Sequence, residues 1–173
     1  RDNVTLDGEF IENIDYLLDG YFQSGKNLRS LKSYMRENHI GFKGFSFNAH
    51  SKKSKVVAHY RLGDYARHDV QKEIGILDIG YLDRVLFTKI PSNQTIDIYT
   101  DDAFFSKKYP KLRNINIIQG GDDIEVFHSF LNAETLITAN STFSLCAGLL
   151  SETTKIIYRP AFWTRNILSD DLC

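Results

Sequence analysis

The chain has no apolar stretch near the roughly 18 residues that a membrane-spanning helix needs. It has no surplus of one charge either. Its 21 Lys and Arg face 22 Asp and Glu, a net charge of −1, so bulk electrostatics gives it no grip on DNA or on an anionic membrane surface. Cysteine is scarce, with only Cys146 and Cys173. Two cysteines make neither a disulfide framework nor a zinc site by themselves. Cys146 lies in an apolar run and reads as a buried thiol, and a reducing compartment is the simpler expectation. Pro91, Pro110 and Pro160 are the only prolines, so punctuation is sparse. Internal repeats, His/Cys metal spacing and a nucleophile–His–acid set are all missing. Gly120-Gly121 lacks the third glycine of a dinucleotide fingerprint.

What is present is an ordinary globular composition, 42% hydrophobic and 25% charged over 173 residues. That length suits one domain or a large piece of a two-domain protein. The chain opens on Arg1 rather than methionine, so a fragment is expected.

The second half alternates short β-branched runs with helical patterns. Val56 to Tyr60 reads as a strand. Ile79, Leu82, Leu86 and Ile90 fall at helical spacing and predict a helix over 78–89. Strands follow at Ile96 to Tyr99 and at Ile115 to Ile118, the latter stopped by Gly120-Gly121. Ile124, Phe127, Phe130 and Leu131 predict a helix capped by Asp122 or Asp123. A strand at Leu136 to Thr138 leads to a helix through Phe143, Cys146, Ala147 and Leu150, capped by Ser141 or Thr142. Ile156 to Tyr158 is the fifth strand. Such alternation predicts an α/β fold, a Rossmann-like parallel sheet with flanking helices. Earlier, Leu28, Leu31, Tyr34 and Met35 fit a helix after Gly25, residues Phe10 to Phe22 fit strand or helix, and Asn48 to Ser54 is a polar connector.

Four segments could carry chemistry. His59-Tyr60-Arg61-Leu62-Gly63-Asp64-Tyr65 follows a strand directly, where open parallel sheets bind ligands. Arg61 there can grip two phosphate oxygens, and Asp64 can orient Arg61 or His59; the alternative is a plain Arg61–Asp64 loop salt bridge. Asn140-Ser141-Thr142-Phe143-Ser144 gathers hydroxyls and N–H groups at a helix N-terminus, an anion site or merely a cap. Asp122-Asp123 and Asp101-Asp102 are adjacent pairs without a D-x-D spacing. Capping and turn formation are their default readings, with a divalent metal as the alternative.

Taken together these residues resemble one family. His59-x-Arg61-x-x-Asp64 is similar to the H-x-R-R-x-D motif of the family 11 glycosyltransferases, the α-1,2-fucosyltransferases. Ala139-Asn140-Ser141-Thr142-Phe143-Ser144 is similar to its late A-N-S-S/T-F-S segment, and Tyr99-Thr100-Asp101-Asp102 to its F-S-D-D. Gly20-Tyr21-Phe22-Gln23-Ser24 resembles an upstream G-Y-F-Q-S. Ile157 to Pro160 with Trp163 resembles the closing strand. Five segments in order, spread over nearly the whole chain, carry the resemblance. Three departures stand against it. Leu62 replaces the second arginine, Leu145-Cys146 replaces an aromatic pair, and an early G-x-G-N-Q segment is absent. The chain therefore resembles the C-terminal portion of such an enzyme.

The resemblance implies the donor-binding part of a GT-B-like glycosyltransferase. It would move fucose from GDP-fucose to a sugar hydroxyl with inversion, without a metal or other cofactor. His59, Arg61, Asp123, Asn140, Ser141, Thr142 and Ser144 are the implied donor-binding residues, with Asp123 against guanine. Arg61 and Asp64 are the implied catalytic ones, Asp64 as a candidate base. Leu62 implies one lost phosphate or sugar contact. The implied partners are a nucleotide sugar and an oligosaccharide or glycolipid acceptor, with no nucleic acid. The implied setting is bacterial surface-polysaccharide or lipopolysaccharide synthesis, cytoplasmic and peripheral to the inner membrane. Residues 1–54 are then a remnant of the N-terminal half plus connector, and 55–173 the nucleotide-sugar-binding domain. An apolar patch is expected around Phe10, Ile11, Tyr21 and Phe22. Two alternatives stay open: a nucleotide-sugar-binding domain without turnover, and a metal-dependent glycosyl- or nucleotidyltransferase using Asp101-Asp102.

Overall fold

The computed structural model describes residues 25–37, 55–108, 114–162 and 164. Five strands form one sheet: β1 (Val56–Tyr60), β2 (Ile96–Thr100), β3 (Ile115–Gln119), β4 (Thr135–Ile137) and β5 (Ile156–Tyr158). Their order is β3-β2-β1-β4-β5 and every pairing is parallel. With helices on both faces this is an α/β, Rossmann-like arrangement.

β1 sits at the centre and all five of its residues are buried. A central parallel strand is covered on both faces, so it carries no solvent-facing polar stripe; its one polar residue, His59, is buried too. Successive side chains point to opposite faces. Val56, Ala58 and Tyr60 join Ile96 and Ile98 in a core cluster with Leu82, Val85 and Leu86 of α3 (Ile79–Thr88). Val57 and Leu136 join Phe130, Leu131 and Ala147 of α5 (Asp123–Leu131) and α6 (Thr142–Leu150) in a second cluster. Phe130 is fully buried, and burying such a ring is worth roughly 1.5–3 kcal/mol. Gly148 lets α6 sit close to the sheet. A Cβ there would lie 2.9 Å from Ile157 Cδ1 and 3.0 Å from Leu136 Cδ2.

The helix predicted over 78–89 is α3, capped by Asp78 through Gly80 N–H at 3.1 Å. Asp122 is the cap of α5, accepting from Ile124 and Glu125 N–H. Three short elements were not expected: a 3-10 turn (Gly63–Ala66), α2 (His68–Glu73) and α4 (Phe105–Lys108). Each is too short to show a hydrophobic period.

The expected helix after Gly25 is α1 (Gly25–Glu37). Lys32 Nζ donates to the carbonyls of Leu149 and Ser151, both at 2.8 Å. It thereby satisfies orphan acceptors at the C-terminus of α6 and complements its dipole. Arg36 makes a two-pronged pair with Glu152 nearby. Thus α1, although it falls in residues 1–54, packs on a helix of the 55–173 unit. Residues Phe10 to Phe22, Gly20 to Ser24, Asn48 to Ser54, Trp163, Cys173 and the expected apolar patch lie outside the described residues. Among those described, no helix is long and apolar enough to cross a membrane.

From β1 the chain steps to β2 and β3 on one side, then returns to place β4 and β5 on the other. That reversal opens a crevice beyond the carboxyl ends of β1 and β4, the position where open parallel sheets hold ligands.

Candidate functional site

A cavity of about 400 Å³ lies at that end of the sheet. His59, Tyr99 and Ile118 line it from β1, β2 and β3. The loop after β1 contributes Arg61, Asp64 and Tyr65, and the loop after β2 contributes Asp101. Gly120, Gly121 and Asp123 border it at the start of α5, and Ser141, Thr142 and Phe143 at the start of α6. Gly120 and Gly121 have φ of 73° and 118°, a path that a residue with a side chain rarely follows.

Arg61 is held from two sides. Its Nη2 lies 2.8 Å from Asp64 Oδ1 and its Nη1 lies 2.7 Å from Asp101 Oδ2. Burial pulls the Arg61 pKa down, but the Asp64 hydrogen bond and the Asp101 and Asp64 charges outweigh it, so the net shift is upward. The guanidinium stays a cation and keeps N–H donors beyond the two used here. Its carbon stands 5.9 Å from the Tyr65 ring centroid, within cation–π range. Tyr65 Oη in turn donates to the Asn140 carbonyl at 3.1 Å, tying the β1 loop to the β4 loop across the crevice.

Asp101, for which turn formation is the default expectation, does more than shape a turn. Besides Arg61, its Oδ1 accepts from Leu62 N–H at 2.7 Å and Gly63 N–H at 3.0 Å. Gly63 has φ of +27°, and a Cβ on it would meet Asp101 Oδ2 and the Arg61 guanidinium. The glycine is thus needed for both conformation and space. Asp102, its neighbour, is buried and accepts from Phe104 N–H at 2.9 Å, as the turn reading holds.

His59 lies against Phe130 and Phe143, with ring centroids 5.2 and 6.3 Å away. Burial pushes its pKa down to about 4; the Asp101 charge raises it and the Arg61 charge lowers it further. The imidazole is therefore neutral at pH 7, and its buried Nδ1 has no protein partner. A buried polar atom without a partner is costly, and the ring that carries it lines the cavity.

The two helix N-termini differ. Asp122 caps α5, whereas Ser141 occupies the cap position of α6 with no side-chain bond to its first turn. Of the two expected caps, Ser141 holds the position but makes no side-chain bond. The leading N–H groups of α6 remain available beside the cavity, with the positive end of the dipole behind them.

Of the residues picked from sequence, His59, Arg61, Asp64, Asp123, Ser141 and Thr142 come together around the cavity. Asn140 and Ser144 do not line it. Asn140 is 5% exposed, and Ser144 is fully buried with its Oγ donating to the Ser141 carbonyl at 3.3 Å. Leu62 points the other way and packs on the α3-side core. Leu62 is not among the residues that line the cavity. Among the described residues, no cluster of three or more His, Cys, Asp or Glu is set to hold a metal ion. Comparison with protein-family models, with curated proteins and with solved structures finds no match for this chain.

Proposed function

We propose that the chain is the donor-binding part of a GT-B-like, GDP-fucose-dependent α-1,2-fucosyltransferase. One observation carries the reading: Arg61, Asp123 and Ser141-Thr142, far apart in sequence, line one cavity at the point where the strand order reverses. Arg61 and the uncapped N–H groups of α6 would receive the diphosphate. Asp123 would accept from the N1–H and N2–H₂ donors of guanine. As the sugar C1 becomes oxocarbenium-like, charge grows on the departing β-phosphate. Fixed donors aimed at that oxygen lower the barrier without a metal. In an inverting transfer the acceptor hydroxyl attacks C1 opposite the phosphate and loses its proton to a base. Asp64 is the candidate base within the cavity. The acceptor is an oligosaccharide or glycolipid of a bacterial surface polysaccharide, met at the cytoplasmic side of the membrane.

A second reading, a nucleotide-sugar-binding domain without turnover, draws on Asp64 being tied to Arg61. Thermal stabilisation by a panel of nucleotide sugars tests the first reading: GDP-fucose should raise the unfolding temperature more than UDP- or ADP-sugars. Equal effects would refute it. Turnover assayed with GDP-fucose and a panel of sugar acceptors separates the two readings. That activity should survive EDTA, and loss restored by Mn²⁺ would favour a metal-dependent transferase instead.

A further inference from the structure

We infer that Arg61 is held by one fixed carboxylate, Asp101, and one displaceable carboxylate, Asp64, which occupies the place of the ligand anion until that anion arrives. The inference rests on reading the cavity as an anion site.

Three carboxylates, Asp64, Asp101 and Asp123, line the cavity against the single guanidinium of Arg61. Net charge alone does not draw an anion here. Binding must come from directed donors, and two of the Arg61 nitrogens already face carboxylate oxygens at 2.7 and 2.8 Å. An entering phosphate oxygen therefore competes with a carboxylate for the same fork.

The two carboxylates are not equally placed to yield. Asp101 holds three groups at once: Arg61 Nη1 through Oδ2, and the Leu62 and Gly63 N–H groups through Oδ1. Its side chain is 30% exposed. Moving it would orphan two backbone donors and release the turn in which Gly63 is pressed against it. Asp64 makes one contact, to Arg61 Nη2, and its side chain is 55% exposed. It has water to turn to, and an ion pair so exposed is weak. The chain thus separates two roles that a symmetric pair would share. Asp101 is a positioning residue that sets the guanidinium plane and the β1 loop. Asp64 keeps Arg61 oriented in the empty site and leaves its Nη2 donors to the ligand. Once swung out, Asp64 is a free carboxylate beside the bound group, which is where a base would be wanted.

Inorganic pyrophosphate is the probe, titrated calorimetrically at pH 7 and low salt into the unaltered chain, Asp64→Asn and Asp101→Asn. Each substitution removes one negative charge from the same cavity, so simple relief of repulsion would tighten both alike. Displacement predicts opposite signs. Asp64→Asn should bind roughly two- to fivefold more tightly, the scale of a weak exposed ion pair removed. Asp101→Asn should bind about tenfold more weakly, because the fork loses its fixed anchor. The asparagine oxygen still accepts from Leu62 and Gly63 N–H, so the fold is expected to hold; circular dichroism checks it. If Asp101→Asn does not fold, Asp123→Asn replaces it as the charge-only control: it removes a cavity carboxylate that is not paired with Arg61, so displacement predicts tighter binding by Asp64→Asn than by Asp123→Asn, and equal tightening overturns the inference. Weaker or unchanged binding by Asp64→Asn, tighter binding by Asp101→Asn, or no pyrophosphate binding by any of the three overturns the inference. Nucleotide preference is measured separately with GDP and UDP. Its loss would sink the guanine assignment while leaving the pyrophosphate ratios standing.

Discussion

Arg61 Nη1 lies 2.7 Å from Asp101 Oδ2, across the gap between the ends of two neighbouring parallel strands. The sheet register explains the meeting. Tyr60 pairs with Thr100, so the next residue along each strand is Arg61 on one side and Asp101 on the other. Forty positions of sequence separate them, yet parallel pairing brings them side by side at the end of the sheet where ligands bind.

Replacing Arg61 by alanine should leave folding nearly intact. Its ion pairs are partly exposed, and such pairs contribute at most about 1 kcal/mol. The loss of a charged, forked donor should weaken GDP binding at least about tenfold. Urea denaturation and calorimetry measure the two effects. A large fall in stability with unchanged GDP affinity would make Arg61 a structural salt bridge.

Gly63→Ala combines an unfavourable φ with a collision at Asp101. It should destabilise the chain by about 1–3 kcal/mol and weaken anion binding through the displaced Asp101. An unchanged urea midpoint would mean that the turn absorbs a Cβ freely.

Leu62→Arg restores the arginine that the motif has at this position. Since Leu62 packs on the core behind the loop, the new guanidinium should not reach the cavity. The expected outcome is no gain in GDP affinity, with a loss of about 1–2 kcal/mol in stability. A clear gain in affinity would show that position 62 faces the ligand.

His59 makes stability depend on pH. Its folded pKa of about 4 lies below the 6.5 of a free imidazole, so between these values the unfolded chain binds more protons. Stability from the buried neutral imidazole is complete above about pH 6.5 and is lost as pH falls towards 4, by about 2–3 kcal/mol at pH 4.5. The lowered carboxylates Asp69, Glu134 and Glu152 act mainly below that window. Denaturation of the unaltered chain and His59→Phe at pH 7 and pH 4.5 checks it. The variant should lose distinctly less on acidification; equal losses would place the sensitivity elsewhere.

Much of the framework was legible because its signals are local. The five strands and the helices α3, α5 and α6 each carry a hydrophobic run or period of their own, and Asp78 and Asp122 cap their helices as such residues do. The 3-10 turn, α2 and α4 were not, since four to six residues hold no period. Asp101 was missed because an adjacent acidic pair after a strand reads as a turn, which is true of Asp102. The available signal was opposite charge one residue beyond the ends of two strands expected to be neighbours. Ser144 and Asn140 were assigned to the site by the segment they share with Ser141 and Thr142. Which residues of that segment turn inward depends on the first turn of α6, which sequence spacing alone does not orient.

The most direct test of the central claim is calorimetric titration of GDP, UDP and ADP into the unaltered chain and into Asp123→Asn. A cavity that places Arg61 and the N-terminus of α6 on the diphosphate and Asp123 on guanine should bind GDP most tightly. Asp123→Asn should narrow the gap between GDP and UDP, since its amide offers a donor where guanine needs an acceptor. Equal or preferred UDP binding by the unaltered chain, or a ratio untouched by Asp123→Asn, would contradict the guanine-nucleotide site.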